Sequence, residues 1–179
     1  METYIRAKEL IPNPDFPTQR IYALKGIDYT GIDPPIADLI KKISDLEHCF
    51  TLQSCYGHFL YKGQTDFRNT DPLPDRNGIT RVDYRIAYLA ICINKSREGE
   101  ILLGKLSELP LIDPLYIQFG CADWFWERQI NSYVLQVEPQ RFADKDKISV
   151  LYEEALIIEK IRNKFFNNLE ALIEELNQN

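Results

Sequence analysis

Apolar residues recur in steps of four and three from Leu151 through Ala155, Ile158, Phe165, Leu169, Leu172 and Leu176, with Arg162 as the charged member of the seam. That period predicts a long C-terminal helix over 148–176 whose apolar face covers other elements. A second helix is expected over 34–46. Asp33 is its candidate N-cap, Pro34 and Pro35 suit its first turn, and Ile36, Leu39, Ile40, Ile43 and Leu46 form its stripe. A third, over 97–108, has Ser96 as candidate cap and Pro110 as its stop. Strands are expected at 49–54, 84–93, 115–119 and 132–137, with a short one at 21–27. The prolines at 12, 14 and 17 make residues 1–20 read as an extended segment. Residues 62–81 carry Gly, Asp, Asn, Pro and Arg without periodicity and read as a long loop, either functional or a tolerated insertion. The chain is therefore expected to form one α+β domain over 1–179. Its mixed or mainly antiparallel sheet, of about five strands, would be covered by two shorter helices and the long C-terminal one.

Composition narrows the function classes. The 179 residues suit one domain, and 45% apolar with 27% charged residues is an ordinary globular balance. A net charge of −6 gives no electrostatic footprint for nucleic acid. No apolar run approaches the length of about 18 residues that spans a bilayer, so no membrane partner is expected. The first thirty residues include Glu2, Arg6, Lys8, Glu9, Asp15, Arg20 and Lys25, which leaves no apolar signal core. A cytoplasmic, reducing location follows, with Cys49, Cys55, Cys92 and Cys121 as free thiols.

Both histidines and two cysteines fall within His48–His58. If 49–54 is a strand, Cys49 and Cys55 lie about 20 Å apart at about 3.3 Å per residue. Two thiolates on one zinc are separated by at most about 4.6 Å. The four groups cannot share an ion. What survives is Cys55-x-x-His58, which a turn at Gly57 could close but which needs ligands from elsewhere, such as Cys121, Asp123 or Glu127. No metal site is assigned on that spacing. A second reading makes Cys55 a nucleophile whose pKa is lowered by His58, and a third leaves Cys55 buried at a strand end with Gly57 at positive φ.

The segment Phe50-Thr51-Leu52-Gln53-Ser54-Cys55-Tyr56-Gly57-His58-Phe59 resembles the signature of the tRNA wybutosine-synthesising methyltransferase family. There a helix and polar turn precede a strand carrying Thr-Ser-Ser-Cys-Ser-Gly-Arg-Ile. Helix 34–46 stands in the matching place, and Ser54, Cys55 and Gly57 match. Thr51 has similar character early in the strand, and the long C-terminal helix is similar in kind to the family's last one. His58 replaces the family's arginine, Tyr56 a serine and Gln53 a serine. The resemblance implies an α+β fold, S-adenosylmethionine as cofactor, and a nucleoside or tRNA as substrate. Under it Cys55 and His58 are the candidate catalytic groups, His58 as a general base or an anion-binding group. Ser54 and Gly57 would contact the ligand, and Asp123, Trp124, Trp126, Glu127 and Arg162 would wall the site, with the tryptophans stacking on a base. Against this enzyme or enzyme-derived binder stands a non-enzymatic homo-oligomer, dimeric through the C-terminal helix or the tryptophan segment, with both tryptophans in core or interface and Arg162 snorkelling or paired with a carboxylate.

Overall fold

A computed structural model describes residues 4–76, 78–142 and 145–178; the first three residues of the expected N-terminal segment and residue 77 of the expected loop lie outside them. Among the described residues, five α-helices and eight strands follow the chain. In order they are β1 (Tyr4–Ile5), α1 (Phe16–Gly26), α2 (Ala37–Asp45), β2 (Cys49–Cys55), β3 (His58–Leu60), β4 (Arg81–Arg85) and β5 (Ala87–Ile93). Then come α3 (Arg97–Glu108), β6 (Ile117–Ala122), α4 (Asp123–Arg128), β7 (Ser132–Val137), β8 (Lys147–Leu151) and α5 (Tyr152–Asn177). The fold is α+β, and among the described residues all strand pairings are antiparallel. A five-stranded sheet has the order β1-β6-β7-β5-β2 and a smaller one the order β3-β4-β8.

The expected helices form with small displacements. Pro34 and Pro35 do open a turn, but as a 3-10 turn over Pro34–Ile36 that leads into α2. The Ser96 side chain accepts from the Gly99 amide at the start of α3, a cap worth about 1 kcal/mol. The C-terminal helix begins later than its apolar period implies, because Lys147–Leu151 pairs with β4 as β8. Inside α5, Ile158, Phe165, Leu169 and Ile173 are fully buried, each contributing about 1.5–3 kcal/mol. They pack with Leu39, Ile40 and Ile43 of α2 and Leu102 and Leu106 of α3 into one core against Leu89, Ile91, Ile93, Leu135 and Val137 of the large sheet.

Two expectations change. Residues 84–93 are not one strand: β4 and β5 belong to different sheets, and the chain turns between them at Ile86, whose amide donates to the Asp146 carbonyl. Residues 6–13 are extended coil as expected, but Phe16–Gly26 is a helix rather than the end of that coil followed by a strand. Pro17 sits in the first turn, where a missing N–H costs nothing. Phe16 anchors α1 against Phe50 and Cys92, while Ile21 and Tyr22 remain exposed. Arg20 fixes it further, donating to the carbonyls of Ser44, Leu46 and Cys49 and so closing the end of α2. Among the described residues no helix is long and apolar enough to cross a membrane.

Candidate functional site

The two sheets share a corner. β2 runs into β3 through Tyr56 and Gly57, and directly across from it β4 runs into β5 through Ile86, so one long antiparallel pair bends from the first sheet into the second. Gly57 makes the bend possible with φ +89°. Tyr84, fully buried, holds the opposite side: its hydroxyl accepts from the Ala87 amide at 2.8 Å and donates to the Val137 carbonyl at 3.0 Å.

Cys55 and His58 flank that bend, and Asp33 reaches it from the turn ahead of α2. One ligand-type atom from each of Asp33, Cys55 and His58 lies within 4.8 Å of the other two. His58 Nε2 is 3.2 Å from Asp33 Oδ2, which also accepts from the Tyr56 amide at 2.7 Å. His58 Nδ1 is 3.0 Å from the Asn69 carbonyl, so it is the donor there. The hydrogen bond with Asp33, and then that with Cys55, raise the His58 pKa from 6.5 to about 10 against the opposing effect of burial. Burial pushes the Asp33 carboxyl up, but the hydrogen bonds from His58 and the Tyr56 amide outweigh it, and the net direction is down. At neutral pH the pair is thus imidazolium and carboxylate. His58 is paired with a carboxylate of the chain itself, and with both ring nitrogens donating it holds no lone pair for a general base. Cys55 is 7% exposed and His58 4%, so a ligand reaches neither without displacement of the loops around them.

Arg162 belongs to the same corner. It is 2% exposed, lies over the rings of Tyr56 and Phe59, and donates to the Gly57 carbonyl at 3.0 Å and twice to Asn163 Oδ1. Glu159 Oε1 stands 3.9 Å away. The side chain therefore neither snorkels nor points an unsatisfied charge at a ligand; it clamps the bend to α5. Arg162→Met keeps most of the stem packing and removes the donors. It is expected to lower stability by about 2 kcal/mol, read from the urea midpoint, with lysine recovering less than half because it lacks the planar fork.

Open space lies beside this corner rather than in it. A cavity of about 240 Å³ is lined by Gln53, Arg85, Ile86, Tyr88, Ala122, Phe125, Val134, Gln136 and Asp146. A shallower groove of about 470 Å³ runs between the end of α1 and the edge of β2, past Asp28, Thr51, Ser54 and again Gln53 and Tyr88. The Tyr88 hydroxyl donates to Gln53 Oε1 at 3.3 Å, and this pair borders both spaces. Sequence reasoning passed over these positions. A glutamine inside an apolar strand, as Gln136 is in β7, was a usable signal. Arg85 and Asp146 had none, because only the tertiary fold brings them together.

The expected ligand-binding residues divide. Ser54 lines the groove, and Gly57 and Arg162 form the bend. Asp123, Trp124, Trp126 and Glu127 lie on α4, where β6 passes into β7; that is the Ser132–Cys92 end of the large sheet, opposite the Cys55–Tyr88 end. There Asp123 pairs with Lys8, Trp126 meets Tyr133 edge-on under the Lys8 ammonium, Arg128 covers Trp124, and Glu127 is exposed. The structure does not bring these four to the bend. From α4 it is Phe125 that enters the cavity wall.

No family model and no curated protein matches the chain. Among solved structures it is similar to the PH1069 protein from Pyrococcus horikoshii, at 16% identity and a TM-score of 0.52 over 90% of this chain and 95% of that one. A second structure of that protein, from strain OT3, gives 17% and 0.45 over 98% and 96%. A hypothetical protein from Aeropyrum pernix gives 14% and 0.43 over 82% and 98%. The first likeness shows a shared α+β fold and nothing finer.

Proposed function

We propose that the protein binds an adenosine-type ligand and is an S-adenosylmethionine-dependent methyltransferase, or a binder derived from one, acting on an RNA nucleoside. The observation that carries this reading is that β2, the strand bearing the methyltransferase-like signature, walls both open spaces through Gln53 and the groove through Ser54 as well. Tyr88 and Phe125 offer ring surface to a base, and the amides of Gln53 and Gln136 offer paired donors and acceptors to its edge. Arg85 suits a ligand carboxylate or phosphate, and Asp146 a ribose hydroxyl. A cavity of about 240 Å³ is below the roughly 300–1,000 Å³ usual for small-molecule sites, so the remainder of the ligand extends past Gln53 and Tyr88 into the groove. Methyl transfer asks the protein mainly for positioning, because the sulfonium is already activated. This suits a site without an exposed nucleophile. The net charge of −6 favours recognition of a base over a phosphate backbone.

Thermal unfolding with S-adenosylmethionine, S-adenosylhomocysteine and adenosine tests the reading. A ligand at a hundred times its Kd adds about 2.7 kcal/mol to stability and raises Tm. The rise is expected for the wild type and is expected to vanish in Arg85→Ala and Gln53→Ala. No rise with any of the three at millimolar concentration sinks it.

A further inference from the structure

We propose that Asp33, Cys55 and His58 form a binding site for a divalent transition-metal ion of the zinc class, with a fourth position left to water. The three donors come from three separate segments: the turn before α2, the end of β2 and the start of β3. Ligand atoms held at 2.0–2.3 Å on a tetrahedral zinc lie about 3.3–3.7 Å from one another. The His58 Nε2 to Asp33 Oδ2 distance, 3.2 Å, already has nearly that length, and all three atoms fall within 4.8 Å. Only a small inward movement of Cys55 Sγ is needed to close the triangle.

The donor types select the ion. One sulfur, one imidazole nitrogen and one carboxylate oxygen suit borderline zinc and its first-row neighbours, and they disfavour calcium or magnesium, which take oxygen alone. The surroundings are those of a ligand set rather than of a bare ion pair. His58 Nδ1 donates to the Asn69 carbonyl, which fixes the ring so that Nε2 faces Asp33 and Cys55, the outer bond that metal-binding histidines almost always make. The Tyr56 amide steadies the carboxylate, and the Gly57 amide donates to Cys55 Sγ at 3.4 Å. The Cys55-x-x-His58 spacing alone pointed to Cys121, Asp123 or Glu127 for further ligands; the fold supplies Asp33 instead.

Charge balances on exchange. The ion bonds to Cys55 Sγ and to His58 Nε2, any proton carried by either atom leaving to solvent, and a thiolate, a neutral ring and a carboxylate then face the dication. The loaded node is then neutral, which removes the main penalty against burying the ion.

Cobalt(II) is the probe of choice because thiolate ligation gives a sulfur-to-metal charge-transfer band in the near ultraviolet. The full chain is stripped with a chelator and titrated with Co²⁺, then with Zn²⁺ in competition. One equivalent per chain is expected, with the band displaced by zinc. Cys55→Ser leaves the Asp33–His58 pair in place and so keeps the fold; it is expected to lose the band and to weaken zinc binding by more than about a hundredfold. Cys49→Ser and Cys121→Ser are expected to retain both. Absence of a band in the folded wild type, or zinc affinity unchanged in Cys55→Ser, overturns the site. Ligand-induced stabilisation through Arg85 and Gln53 is read separately, so either idea can fail alone.

Discussion

Gly57→Ala is expected to destabilise the protein by about 3 kcal/mol or more. Two independent costs meet at this position. The backbone sits at φ +89°, where a side chain costs roughly 1–2 kcal/mol. The added Cβ also lands 2.9 Å from the Ala87 Cβ and 3.0 Å from Cε2 and Oη of Tyr84. Tyr84 cannot yield cheaply, since it is fully buried and its hydroxyl holds both the Ala87 amide and the Val137 carbonyl. Overpacking of this kind adds roughly 1–3 kcal/mol. Gly63 is the control: its φ is +96°, but a Cβ there meets nothing within 4 Å. Gly63→Ala is therefore expected to cost about 1 kcal/mol, the backbone share alone. Urea unfolding of the two variants separates the effects. Equal losses would show that the corner relaxes, and that the close approach of the two sheets at Gly57 has no energetic weight.

That corner also marks where the sequence stops being informative. Helices α2 and α3 and the bulk of α5 were legible because their burial follows a local period, and Ser96 was legible because a cap is a local hydrogen bond. The positive φ of Gly57 was legible for the same reason. What was hidden depends on contacts distant in the chain. The division of 84–93 into β4 and β5 is set by pairing with β8 on one side and β7 on the other. Nothing in Tyr84-Arg85-Ile86-Ala87 records it. Helix α1 lacks an apolar stripe and is held by Phe16 and by Arg20 reaching three carbonyls of other segments, so periodicity had nothing to detect. Asp33 was read as a helix cap, yet it makes no side-chain cap bond. Its carboxylate turns instead to His58 and the Tyr56 amide, a choice visible only once α2 and β3 are neighbours. The Cys55–His58 half of the 48–58 window was rightly separated from the His48–Cys49 half by strand length, but its third member lies 22 residues earlier than Cys55.

Asp33→Asn, measured in chelator so that the pair itself titrates, is expected to cost about 3 kcal/mol near pH 5–6 and little by pH 10. The magnitude is that of breaking a buried ion pair while leaving one charge behind, and the side chains of His58 and Asp33 are only 5% and 12% exposed. Asparagine keeps an oxygen for the Tyr56 amide, so the loss reports the charge. The sign follows from the direction of each shift. His58 is raised from 6.5 to about 10 in the folded protein, so its contribution is whole below about pH 6.5. Above that the folded state holds a proton the unfolded chain has released, and stability falls as pH rises toward about 10. Asp33 is shifted below 3.8, so its contribution is present above that value and is lost as pH falls through the lowered one. The difference between wild type and variant should form a plateau between about pH 4 and 6.5 and close toward alkaline pH. Arg68, which also lowers Asp33, shifts the height of the plateau without altering its alkaline edge. A difference that stays flat from pH 5 to 10 would mean that the loss does not come from pairing with His58 and that His58 is neutral in the folded protein. In that case the lone pair on Nε2 is already free, and the imidazole regains the capacity to act as a base that its pairing with Asp33 removes.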